Sequence, residues 1–250
     1  MKLATIKKLN SLNQKFYQET AEHFNDSRQF YWAGWEKLLP KFKKQFSNQQ
    51  KITVLDLGCG NGRFGSFLTE NLEHKINYHG FDSNPELLKL AEKRSEKFSF
   101  SHTDLVNDLL ENHFLQNFPK NSPSLIVMFG VWHHLPSSKL RHQLLQETAE
   151  LLNKDGLLIF TVWKFHEHER FKKKIIPPEK VGLKPASLEN NDYILDWKRG
   201  TKAYRYCHYS TDKEIQELLS SLPTLKKLAT FRADGEQNRS NKYYVLEKIS

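Results

Sequence analysis

The chain has 250 residues, 38% hydrophobic and 12% aromatic, with a formal net charge of +9, a composition that suits one α/β domain around a single core. A mean hydropathy of −0.68 and the lack of a long apolar run exclude a membrane-spanning helix, and the basic N-terminus lacks the apolar stretch of an export signal, so a cytoplasmic protein without a membrane partner is expected. Two cysteines, Cys59 and Cys207, exclude a disulfide framework, and without a Cys or His partner at zinc spacing they predict no metal site.

Residues 3–25 read as a helix, with Leu3, Ile6, Leu9, Leu12, Phe16 and Ala21 at helical spacing, and a second helix is expected from Tyr31 to Phe46. An apolar strand at 52–57 breaks into a glycine-rich turn and a helix from about Arg63 to Leu72. A strand at 76–82 follows, and Asn84-Pro85 opens the helix PELLKLAEKRSEK. The alternation continues through the short strand KFSFSHTD, the helix LLENHFLQNF, the doubly buried strand SLIVMFG and the helix SSKLRHQLLQETAELLN. Asp155-Gly156 turns the chain into the strand LLIFTVW. Regularity then fails across a basic insertion, residues 164–209. Thr211 and Glu214 offer a capping box to the helix TDKEIQELLSSL, and TLKKLATFRA and NKYYVLEKI close the chain as an antiparallel hairpin.

This order predicts one domain: N-terminal helices (1–51), a core (52–163), the insertion (164–209) and a C-terminal helix and hairpin (210–250). The fold class is α/β, a doubly wound, Rossmann-like, seven-stranded mixed sheet ending in an antiparallel hairpin. The charge follows the same division. Residues 1–51 carry 10 Lys and Arg against 4 Asp and Glu, and residues 164–205 carry 11 against 6, whereas residues 52–163 carry 10 against 13. A polyanion would be held by the two basic segments, and a solubilising surface is the plain alternative.

The sharpest motif is VLDLGCGNGRF, residues 54–64. Gly58, Gly60 and Gly62 directly after a strand let the backbone turn sharply and approach a ligand. The spacing is not that of a dinucleotide fingerprint, and Asp56 would repel a pyrophosphate. It suits a cationic nucleoside without phosphate, as S-adenosylmethionine is. Asp82 ends the next strand, where a carboxylate can accept both ribose hydroxyls, and Asp104 ends the one after, where it can accept from an adenine amine. Each aspartate alone also reads as a helix N-cap.

Taken together, residues 52–163 and the closing hairpin resemble the class I S-adenosylmethionine-dependent methyltransferases. The resemblance implies S-adenosyl-L-methionine as cofactor, held by Asp56, Gly58, Gly60, Gly62, Asp82, Asp104, Leu105 and Gly130. One departure is Ser124, where that family often starts the strand with an acidic residue.

Three further stretches resemble the eukaryotic tRNA methyltransferases that esterify carboxymethyluridine at the wobble position. FYQETAEHFNDSRQFYW matches at Tyr17, Ala21, Phe24, Ser27 and Arg28; VWHHLP matches around His134; and DYILDWKRGTKAYRYCHYST matches at Trp197, Arg205, Tyr206 and His208. Asp196 and Cys207 depart from that last pattern. The resemblance implies Arg28, His134, Arg205 and His208 at the acceptor. It implies tRNA as partner, contacted by Lys172, Lys173, Lys174, Lys198, Arg199 and Tyr206. It also implies a small zinc-binding activator protein, expected on the edge strand Lys97–Ser101 through Phe98 and Phe100. Other readings of the same residues stand beside it. Adjacent histidines cannot both face one point, Tyr206 can be packing, and the Lys172–Lys174 run can be a solvated face. Two other functions fit the core: a methyltransferase acting on a small carboxylate, phenol or quinone, and a silent methyltransferase fold that binds RNA or a partner.

Overall fold

The structure is a computed structural model that describes residues 1–26, 30–118, 123–198 and 202–250. Helix α1 (Leu3–Asp26) comes first, and the helix expected over 31–46 is two short ones, α2 (Ala33–Glu36) and α3 (Leu39–Gln45). Pro40 lies within the first turn of α3 and has no amide to continue a longer helix. The core then alternates β1 (Lys51–Leu57), α4 (Arg63–Asn71), β2 (Lys75–Asp82), α5 (Pro85–Arg94), β3 (Ser99–His102), α6 (Leu105–Leu110), β4 (Leu125–Met128), α7 (Ser138–Leu151) and β5 (Leu157–Trp163). The stretch read as a helix over 109–118 is the end of α6 and a separate 3-10 turn at Phe114–Asn117, parted by Asn112 at φ +56°. The insertion contains α8 (Glu169–Lys172), β6 (Ile175–Ile176), β7 (Asp192–Trp197) and β8 (Ala203–His208). The chain ends with α9 (Asp212–Ser220), β9 (Leu225–Ala233) and β10 (Asn241–Lys248).

The main sheet has seven strands in the order β3-β2-β1-β4-β5-β10-β9. Strands β1 to β5 pair in parallel, and β10 runs antiparallel to both β5 and β9. Because side chains alternate across a strand, each central strand feeds two cores. Leu55, Leu57, Ile126, Met128, Leu158 and Phe160 pack under α6, α7 and α9, while Val54, Val127, Ile159, Tyr243 and Val245 pack under α2, α3 and α4. Phe160 is fully buried between Trp132 and Tyr244, and truncating such a ring to alanine costs about 3–5 kcal/mol. β3 is an edge strand, and the phenylalanines at its start are used inside: Phe98, just before it, and Phe100, on it, pack on Tyr78 at 4.9 and 6.0 Å between ring centroids.

The basic insertion is not irregular. β6, β7 and β8 form a separate antiparallel sheet, and α1 lies on it through Leu9, Ile194 and Tyr206. The small sheet and α1 therefore stand over the ends of β1, β2, β4 and β5, and the space enclosed there is the site.

Candidate active site at the strand ends

After β1 the chain turns at Gly58, Gly60 and Gly62, whose φ angles are +77°, +55° and +71°. A side chain is strained in that region, and a Cβ on Gly58 would stand 2.2 Å from Val131. The amides of Gly58 and Cys59 donate to the carbonyl of Phe81, which ties the turn to the end of β2. Asp82 completes the tie, accepting from the amides of Gly60 at 2.8 Å and Asn84 at 2.9 Å. Burial pushes its pKa up, and the amides of Asn84, Gly60 and Ser83 pull it back. Asp56 is deeper, 2% exposed, and accepts the Tyr78 hydroxyl at 2.5 Å. Burial raises its pKa to about 7, with nearby Asp82 adding to the rise and Tyr78 and Arg63 opposing it.

Asp104 is placed differently from its expected role. It caps α6, accepting from the amides of Val106 and Asn107, and it also accepts from Asn10 Nδ2 at 2.8 Å and Gln14 Nε2 at 2.7 Å of α1. Its oxygens are thus engaged by the protein, and the adenine contact expected of it has to compete with α1. Leu105 and Gly130 line the same cavity, and Gly130, at φ +79°, donates its amide to Thr161.

Asp56, Gly58, Gly60, Asp82, Asp104, Leu105 and Gly130 border one cavity of about 770 Å³, ample for a nucleoside cofactor and an acceptor together, whereas Gly62 shapes the turn without lining it. The donor set fits S-adenosylmethionine: carboxylates at Asp56 and Asp82 for its cations and ribose, and a glycine turn that lets the backbone come close. Arg63 was not anticipated from the sequence, because a cation after a glycine turn reads only as the first residue of a helix. It is 7% exposed, lies 5.5 and 5.1 Å from the rings of Trp32 and Trp35, donates to the Phe30 carbonyl and lines the cavity, where it suits the cofactor's carboxylate.

The far end of the cavity is built by α1, β8 and the end of β5. His134 donates from Nδ1 to the Tyr206 carbonyl at 3.0 Å, so its Nε2 accepts the Tyr17 hydroxyl, at 2.7 Å. Burial, reinforced by the charge of Arg205, holds its pKa down at about 3, and the ring is neutral. Arg205 is enclosed by aromatic rings, its guanidinium carbon lying 5.1 Å from Phe16, 4.6 Å from Trp163 and 6.0 Å from Trp197. Among the described residues no carboxylate lies within ion-pair distance of it, and its Nε has no hydrogen-bond partner. His133, His134 and Cys207 bring their ligand atoms within 4.8 Å of one another, a grouping that sequence spacing did not show. Both nitrogens of His134 are already bonded and burial raises the Cys207 thiol to about 12, so a metal there would have to displace both bonds and a proton.

Two residues expected at the ligands lie on the other face of β8. His208 is 2% exposed, held by Asp192 at 2.8 Å and Glu214 at 2.9 Å, and does not line the cavity. Tyr206 is fully buried with its hydroxyl on Asp192 at 2.7 Å, so its ring cannot meet RNA. In an extended strand, residues 206 and 208 point opposite to 205, and only Arg205 faces the site. Lys172 is exposed and paired with Glu169, Lys173 is exposed, and Lys198 is exposed beside Asp196. Lys174 differs from its neighbours and lines the cavity. Arg28 and Arg199 lie outside the described residues.

Two relatives named tRNA (carboxymethyluridine(34)-5-O)-methyltransferase match the chain. That of Arabidopsis thaliana is 23% identical over 67% of this chain, and that of Schizosaccharomyces pombe is 25% identical over 63%. The matches span 37% and 60% of those relatives' own lengths. The fold is shared with the Burkholderia thailandensis 1,6-didemethyltoxoflavin-N1-methyltransferase, solved with S-adenosylhomocysteine, at a TM-score of 0.63 and 15% identity over 100% of this chain and 93% of that one. The profile of a family described as a methyltransferase domain matches residues 28–222. The chain belongs to that family and is an S-adenosyl-L-methionine-dependent methyltransferase.

Proposed function

We propose that this methyltransferase esterifies the carboxylate of 5-carboxymethyluridine at the wobble position of a tRNA. The observation that carries the reading is Arg205, a guanidinium caged by three aromatic rings, without a carboxylate partner among the described residues, at the end of the cavity opposite Asp56 and Asp82. A buried cation of that kind favours an anion, and a planar guanidinium matches a carboxylate in two hydrogen bonds. The names of the two tRNA-modifying relatives point to the same acceptor.

When bound, S-adenosylmethionine supplies a methyl group on a sulfonium. An acceptor carboxylate held at Arg205 would take that methyl, the new O–C bond replacing the C–S bond whose electron pair would stay on the departing thioether sulfur. The acceptor is already ionised at neutral pH and needs no base. That agrees with His134, whose Nε2 lone pair is occupied by Tyr17. A phenol or amine acceptor would call for a free base. Arg205 orients the carboxylate, and the surrounding rings exclude water where opposite charges neutralise.

An activator protein at β3 would pair through the strand's free backbone edge, because Phe98 and Phe100 are engaged with Tyr78. Nucleoside mass spectrometry tests the main reading. Incubation with S-adenosylmethionine and a tRNA bearing 5-carboxymethyluridine, with and without such an activator, is expected to give the methyl ester. No ester under either condition, with methylation of a free carboxylic acid instead, overturns it.

A further inference from the structure

Helix α1 reaches the cofactor end of the cavity through two amide side chains one turn apart, Asn10 and Gln14. Both meet Asp104. Its Oδ2 accepts from Asn10 Nδ2 at 2.8 Å and Gln14 Nε2 at 2.7 Å, and its Oδ1 accepts from the amides of Val106 and Asn107 and, at 3.1 Å, from Asn10 again. A carboxylate offers about four lone-pair positions, and these donors fill them. The carboxylate also fixes which way the two amides turn. It only accepts, so each amide points its nitrogen at Asp104 and keeps its oxygen for another donor. Asn10 is 8% exposed and Gln14 is half-buried, and both line the cavity. Among the described residues no donor meets Asn10 Oδ1 or Gln14 Oε1.

Two acceptor oxygens on neighbouring amides, one of them on a buried side chain, call for an uncharged ligand group with two hydrogens to give. The exocyclic amine of a base is such a group. We infer that Asn10 and Gln14, rather than Asp104, read the 6-amino group of the cofactor's adenine, and that Asp104 is the positioning residue that holds their oxygens in place. The base is then read by side chains of α1, outside the strand-end positions of the glycine turn and the aspartates. Selectivity follows from the same arrangement. A 6-oxo purine would bring an oxygen to two oxygens, and neither amide can turn over to offer its nitrogen without leaving Asp104. Asparagine and glutamine pair with the amine edge of adenine in nucleic-acid grooves through the same donor and acceptor match. Adenine recognition of this kind holds whichever acceptor is methylated.

Calorimetry without any acceptor tests this, comparing S-adenosylhomocysteine with its inosine analogue, in which a 6-oxo group replaces the amine. The wild-type enzyme is expected to bind the adenosine compound roughly a hundredfold more tightly. In Gln14→Met and in Asn10→Leu the affinity for S-adenosylhomocysteine is expected to fall roughly tenfold, the affinity for the inosine analogue to change less, and the preference to shrink accordingly. Thermal melting checks that each variant is folded, and should the buried Asn10→Leu not fold, Gln14→Met decides alone. A preference that keeps its wild-type size in a folded variant, even with both affinities lowered, makes the amides mere braces for Asp104 and overturns their role at the base. A wild-type enzyme that binds the two compounds equally overturns it as well. Because no acceptor is present, these outcomes are independent of the carboxymethyluridine reading.

Discussion

Tyr17 on α1 and His134 after β4 share one hydrogen bond at 2.7 Å, and its direction is set from behind, because Nδ1 of His134 donates to the Tyr206 carbonyl. The ring is therefore a fixed acceptor rather than a titrating base. Tyr17→Phe leaves Nε2 without its donor, a cost of about 1–3 kcal/mol for a buried acceptor. Methylation efficiency is expected to fall about tenfold with cofactor affinity nearly unchanged. Steady-state kinetics beside calorimetry separate the two, and an unchanged kcat/KM removes Tyr17 from the acceptor site.

Asp82 holds the glycine turn through the Gly60 amide and ends the strand where the ribose belongs. Asp82→Ala is expected to weaken S-adenosylhomocysteine binding by roughly ten- to a hundredfold, the loss of about 1.5–3 kcal/mol of charge-assisted bonding. Calorimetry reads this directly, and circular dichroism checks that the sheet is retained.

Asp56 makes cofactor binding depend on pH. Burial raises its pKa to about 7, and a cation bound beside it favours the ionised form. Below that pH the group must release a proton for the cation to bind, so affinity is expected to weaken as pH falls through about 7. Binding enthalpies measured in buffers of different ionisation heat will show the released proton. In Asp56→Asn that proton release should disappear.

His208 is predicted to hold the fold together rather than the substrate. Burial alone would lower its pKa, but its bonds to Asp192 and Glu214 outweigh this and raise it. The raised value stabilises the folded state fully below the ordinary histidine pKa, and that contribution is lost as pH climbs through the folded value. His208→Ala removes the cation between two carboxylates and should cost about 3 kcal/mol. Denaturant melts between pH 6 and 9 are expected to show the wild-type advantage shrinking with pH. A variant of normal stability and no activity would return His208 to the chemistry.

The sequence made the cofactor end legible because backbone geometry and strand ends leave strong marks. Only glycine suits three positive φ angles in a row of alternate residues, and Asp82 is fixed by the end of its strand. The acceptor end was less legible. Arg205, Tyr206 and His208 read as one motif, but strand alternation splits them between two faces, and Asp192, the partner that decides the matter, lies across the pairing with β7. The small sheet escaped notice because β6 has two residues and β7 shows no clean alternation of buried and exposed positions. The expected capping box is half formed for a similar reason: Thr211 caps the Glu214 amide, but the Glu214 carboxylate turns to His208.

Helix α1 is fastened at both ends of the cavity, by Asn10 and Gln14 to Asp104 and by Asn13 and Tyr17 to Tyr206 and His134. A single rigid body thus forms part of the wall for two ligands that meet only at the reacting atoms. A ligand that draws Asp104 away from α1 is expected to alter the hold on His134, and an acceptor at His134 to act on Asp104 in the same way. The two affinities are then linked by one coupling free energy, equal in both directions. The order in which cofactor and acceptor associate leaves that equilibrium coupling unchanged, and the product complex carries it as well, so S-adenosylhomocysteine and the methylated product are expected to influence each other's release.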